Sequence, residues 1–143
     1  IRIQATQDRT VLVMKPRVSA THKAVTGGAV LCPAKEPGGN GLMVRQFHID
    51  LDKRPPRVDY YAGNGPGSPQ FVMRRGDSEA FVVIAHATAG RYEWTLDIPV
   101  VVDGETFHLR ADDHGRPFVL VGPDGLETMW WDFGQLEWRK PEW

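Results

Sequence analysis

The sequence predicts an all-β protein: an antiparallel two-sheet sandwich, immunoglobulin-like or jelly-roll-like, with a short aromatic-rich C-terminal segment and a small barrel as the alternative closure. Three observations predict it. Stretches in which apolar and polar residues alternate recur between clusters of Gly, Pro, Asn and Asp, which is the period of a strand with one wet face. Val100-Val101-Val102, Asp103-Gly104 and Glu105 to Leu109 form a hairpin signature, because Asp-Gly supplies the two positive-φ residues of a type I′ turn. Helical spacing is scarce before Leu126.

In chain order, Thr10 to Met14 and Arg17 to Val25 read as extended pieces parted by Pro16, and Gly27-Gly28 ends the second. Pro33, Pro37, Gly38, Gly39 and Asn40 make Cys32 to Gly41 a loop. Leu42 to Asp52 is a strand with Phe47, Ile49 and Leu51 turned inward and Gln46, His48, Asp50 and Asp52 outward. Arg57 to Ala62 is the next strand, followed by the loop Gly63 to Pro69. Gln70 to Arg74 reads as a short strand, and the continuous apolar run inside Ala80 to Ala87 as one buried on both faces. Tyr92, Trp94, Leu96 and Ile98 alternate with Glu93, Thr95 and Asp97, and Pro99 marks a bend or an edge. Asp112 to Gly115 and Pro123 to Gly125 are turns that flank Phe118 to Val121.

The tail divides the signals. Leu126, Met129, Trp130, Phe133 and Leu136 match helical spacing, whereas Gly134 and the aromatic richness oppose a stable helix. The expectation is a short helix or an irregular extended segment. Trp130, Trp131, Trp138 and Trp143, four of the five tryptophans, lie in it.

At 143 residues the chain fits a single domain, and its start at Ile1 reads as a piece of a longer protein. Hydrophobic residues at 41% and charged residues at 24% are globular values. A net charge of −1 argues against duplex nucleic acid, whose binders gather an excess of Lys and Arg. Short basic clusters do occur, Lys53, Arg54 and Arg57 around Pro55-Pro56, and Arg74-Arg75, leaving room for a local phosphate contact. The single cysteine, Cys32, cannot form an intramolecular disulfide; it reads as a small buried hydrophobe, and a cytoplasmic location is the expectation. No apolar run reaches the 18 residues or so of a membrane-spanning helix, so no span is expected.

Chemistry-bearing groupings are few. His48-Ile49-Asp50 puts an imidazole and a carboxylate on one face of a strand, and a distal His86 or His108 would complete a two-His, one-carboxylate set for Fe(II). The pattern resembles the metal triad of the 2-oxoglutarate-dependent oxygenases over three or four residues. That resemblance implies a co-substrate arginine downstream of the distal histidine, where Arg116 stands if His108 is the ligand. His108, Asp112, Asp113 and His114 form a second grouping, with the plainer reading of a tight turn. Arg75-Gly76-Asp77-Ser78 matches the integrin-binding tetrapeptide inside an expected turn. No phosphate-binding loop, dinucleotide fingerprint, nucleophile elbow or zinc-protease motif occurs, and no cofactor is expected.

The sequence therefore points to a non-catalytic module that presents loops and aromatic residues to a protein partner, with Tyr60, Tyr61, Trp130, Trp131 and Trp138 as candidate contacts. A carbohydrate- or small-ligand-binding sandwich using the same aromatics is the first alternative. A small metal-dependent enzyme built on His48 and Asp50 is the second.

Overall fold

The computed structural model describes residues 1–6, 8–32, 45–62, 65–67 and 70–140. The expected loop from Pro33 to Gly41, the first three residues of the expected Leu42 to Asp52 strand, parts of the Gly63 to Pro69 loop, the Cys32 side chain and Trp143 lie outside what is described.

Fourteen strands and no helix occur among the described residues. They are β1 Arg2–Gln4, β2 Val11–Val13, β3 Arg17–Lys23, β4 Ala29–Cys32, β5 Arg45–Asp50, β6 Arg57–Ala62 and β7 Gly65–Pro66. The second half adds β8 Phe71–Met73, β9 Ser78–His86, β10 Ala89–Val102, β11 Glu105–Ala111, β12 Phe118–Pro123, β13 Glu127–Asp132 and β14 Glu137–Arg139. No helix of the described chain is long and apolar enough to cross a membrane.

The first sheet runs β1-β9-β5-β6-β7, with β5 and β9 parallel and the other neighbours antiparallel. The second is gathered on the 14-residue β10. Strands β11 and β12 line one of its edges, β2 and β3 line the other, and β8 pairs beyond β2. Neither sheet closes on itself, so the sandwich expectation holds and the barrel does not. A third sheet, β14-β13-β4, joins the tail to the chain after Gly28, with β13 and β4 parallel.

The core follows from alternation. Tyr92, Trp94, Leu96, Ile98 and Val100 on β10 are buried and face Phe47, Ile49, Val58, Tyr60 and Phe81 of the first sheet in one cluster, which Leu51, Val13 and Met73 complete. Aromatic packing ties it together: Phe47 lies 5.2 Å from Phe81 and 5.4 Å from Tyr60, ring centre to ring centre. Such pairs add roughly 0.5–1.5 kcal/mol beyond their burial.

The structure corrects two expectations. Strand β9 is covered on one face only: Phe81 is buried, whereas Val82 and Ile84 are 42% and 43% exposed. Its apolar run is continuous because β-branched residues suit any pleated surface, so composition did not report burial. The tail is a β-hairpin on a third sheet, without a helix; tertiary pairing with β4 and the strand preference of its tryptophans override the helical spacing.

Pro99 sits inside the hub strand, where a missing N–H would break a ladder. The Pro99 carbonyl accepts the Met14 amide at 2.9 Å, so the amide-less edge of Pro99 faces the β2–β3 side. There β3 pairs only as far as Asp97 and β2 resumes at Val100. Two prolines thus meet at one break in the ladder, Pro16 in the outer strand and Pro99 in the hub.

Asp103 and Gly104 take φ of 51° and 85°, the left-handed pair that the β10–β11 turn requires. Gly122 is needed for space instead. A Cβ there would stand 2.3 Å from the Ala89 amide nitrogen and 2.6 Å from the Thr88 carbonyl oxygen, where the β9–β10 connection crosses β12. Gly122→Ala is expected to lower the unfolding free energy by about 1–3 kcal/mol in urea titration; an unchanged midpoint would rule out so close a crossing.

Candidate functional site

The sequence-predicted contact residues fall in two separate places. Tyr60 and Tyr61 lie on β6 in the first sheet, with opposite orientations. Tyr60 is buried in the core, its hydroxyl accepting a hydrogen bond from the Arg45 guanidinium, which also donates to Glu79 at 3.0 Å. Tyr61 is half-buried on the outer face, 4.6 Å from the His48 ring.

The tryptophans lie on the third sheet. Trp131 and Trp138 are cross-strand partners whose rings meet edge to face at 5.4 Å and 67°, which staples β13 to β14. Lys140 and Glu127 close the base of the hairpin at 2.8 Å. Trp130 faces the other way and is 46% exposed. Among the described side chains of this sheet, none belongs to the core cluster of the sandwich.

The tip between β13 and β14 contributes two residues that the aromatic pattern alone did not single out. Phe133 is 67% and Leu136 71% exposed. The turn that carries them is built locally: the Asp132 carboxylate accepts the amides of Gly134 at 2.7 Å and Gln135 at 3.2 Å, an Asx-type turn. Leu136 has φ of 55°, a region where a side chain is strained and Gly or Asn is favoured. A large apolar residue is thus held in a costly conformation while facing solvent. The available signal was an Asp followed by apolar residues in a Gly-containing stretch, which the helical spacing of Phe133 and Leu136 overlay.

The metal candidates separate. On β5 the His48 Nε2 bonds the Gln46 amide oxygen at 2.9 Å, and Asp50 turns to the Asp52 amide at 3.1 Å. His108 belongs to the second sheet, where its Nδ1 lies 2.8 Å from the Asp97 carboxylate. Asp112 accepts the Gly115 amide and pairs with Arg110, and Asp113 pairs with Arg116. These contacts are those of a turn, and Arg116 pairs within it. Of the two expected distal histidines it is His86 that the structure brings to Asp50, together with Asp52 rather than His48, with ligand atoms within 4.8 Å of one another.

Asp52 has a structural occupation there. One carboxylate oxygen accepts the Thr88 amide at 2.8 Å and hydroxyl at 2.5 Å, and the other accepts the Tyr92 phenol at 2.9 Å. It therefore clasps the end of β5 to the β9–β10 connection and to the hub strand of the opposite sheet. The Thr88 hydroxyl foremost, then the Thr88 amide, Tyr92 and nearby His86, hold its carboxyl below the ordinary range against the opposing effect of burial. Burial first and the bond to Asp52 second push the Tyr92 phenol up. Sequence offered no signal for this clasp, because its partners lie 36 and 40 residues away.

The Arg75-Gly76-Asp77-Ser78 segment is likewise occupied. The Asp77 carboxylate accepts the Arg74 amide at 2.7 Å, the Ser78 hydroxyl accepts from Arg2, and Ala5 pairs with both Gly76 and Asp77 through the backbone.

A scan against protein-family models finds no match for this chain, and searches of curated proteins and of solved structures find none either. The site defines at most a class: an open β sandwich carrying an aromatic hairpin outside its core.

The Asp52 clasp predicts a pH dependence. A carboxyl whose folded pKa is depressed contributes stability that is complete above its unfolded value, near pH 4, and is lost as pH falls through the folded value. Asp52→Asn should lower stability at pH 7 by about 1–3 kcal/mol. The gap from the unsubstituted chain should narrow in urea titrations as pH falls below about 4; a gap constant with pH would show that the charge of Asp52 contributes nothing.

Proposed function

We propose that this chain is a non-catalytic interaction module that contacts a protein partner through the tip of the third sheet. The observation that carries the reading is the pairing of exposure with preorganisation at Phe133 and Leu136. Fixing two large apolar residues before binding removes part of the ordering entropy that association otherwise loses. Protein contacts concentrate their energy in a few such anchors, ringed by polar residues, and here exposed Trp130 and the polar Asp132, Glu137 and Arg139 lie on the two strands that the tip joins.

Strain at an exposed position also supports the reading. Leu136 does not belong to the core cluster, so no core packing offsets its positive φ.

Leu136→Gly should raise the unfolding free energy by roughly 0.5–1 kcal/mol by relieving the strain, and it should weaken partner binding. Affinity capture from the source cells, run in parallel with the native chain, with Phe133→Ser/Leu136→Ser and with Val82→Ser/Ile84→Ser, locates the surface. The expected result is a partner held by the native chain and the β9 variant but lost from the tip variant. Retention by the tip variant places the contact elsewhere and defeats the proposal.

A further inference from the structure

A cavity of about 770 Å³ opens where the Pro16–Pro99 break meets the segment that follows β5. Its walls include Pro16, Pro55, Pro56, Pro99, Val58 and Val101, and Lys15, Arg17 and Arg57 stand among its lining residues. Pocket volumes of this order suit small organic ligands, and proline walls have no side-chain rotamers left to freeze on binding. A second hollow of about 380 Å³ shares Pro55 and Pro56 and adds Lys53 and Arg54. Tertiary folding therefore brings Lys15 and Arg17 to the basic cluster around the diproline, gathering five of the chain's 17 basic residues in a molecule of net charge −1.

The carboxylates nearby pair with only two of these five residues. Arg57 pairs with Asp59 at 2.9 Å and Lys53 with Asp50 at 3.8 Å. Asp97 lies opposite Arg17 in the ladder, yet its carboxylate bonds His108. Lys15, Arg17 and Arg54 have no carboxylate partner among the described residues. Clustered like charges repel one another and focus a field into the hollow beside them.

We propose that this cavity binds an organic anion, a carboxylate or phosphate ester with an apolar body. Lys15 and Arg17 pair with the head group, with Arg57 beside them already bonded to Asp59, and the proline and valine walls cover the body. The site is separate from the hairpin tip, so either can fail without the other.

The test is an NMR titration of ¹⁵N-labelled chain with octanoate, octyl phosphate and octyltrimethylammonium. Both anions are expected to shift the amides of Met14, Lys15, Arg17 and Arg57, the cation is not, and the tighter anion identifies the head group. Lys15→Gln/Arg17→Gln, which removes two exposed charges with little burden on folding, should weaken binding about tenfold. Phe133→Ser/Leu136→Ser should bind as the native chain does. Equal shifts with the cation, shifts centred elsewhere, unaltered affinity in the Lys15/Arg17 variant, or no shift at millimolar anion would each overturn the proposal.

Discussion

The alternation along β10, with Tyr92, Trp94, Leu96, Ile98 and Val100 inward and polar residues outward, is the constraint from which the rest of the sandwich follows. Four strands register directly against this one element. A slip of one residue would turn its five buried side chains to water and its outward charges to the core. At roughly 1.5–3 kcal/mol for each large apolar side chain, such a slip outweighs any single surface interaction described here.

Two further devices hold the opposite sheet to that frame. Asp52 reaches from the end of β5 to Tyr92 on the hub and to Thr88 on the approach to it, converting an otherwise apolar contact into a directional one. Gly122 allows the chain at Thr88 and Ala89 to pass against β12. The core thus supplies the energy, and these local features supply the geometry. The cavity at Pro16 and Pro99 is a by-product of the same arrangement, since the ladder must break where neither proline can donate.

Legibility in the sequence followed the range of the interaction. The β10–β11 hairpin was readable because alternation and the Asp103-Gly104 turn lie within a few residues of one another. Phe47, Ile49 and Leu51 were readable for the same reason. The third sheet was not: the parallel partner of Glu127–Asp132 is Ala29–Cys32, nearly a hundred residues earlier, and helical and strand spacing overlap in so short an aromatic stretch. Among the candidate contacts, Tyr60 looked like a surface aromatic because its burial depends on Phe47 and Arg45 of the neighbouring strand. Phe133 and Leu136 were read only as part of a helical spacing, because a backbone angle and exposure are not encoded in composition.

The separation between a sandwich built on β10 and an aromatic sheet outside its core is the claim on which the functional reading rests. Native-state hydrogen exchange across a series of low urea concentrations tests it most directly. The account predicts that the Tyr92 to Ile98 amides exchange only through global unfolding, with a steep urea dependence, while the Glu127 to Asp132 amides exchange through a smaller opening with little urea dependence. Equal protection and equal urea dependence in the two strands would make the third sheet part of the cooperative core and contradict the account.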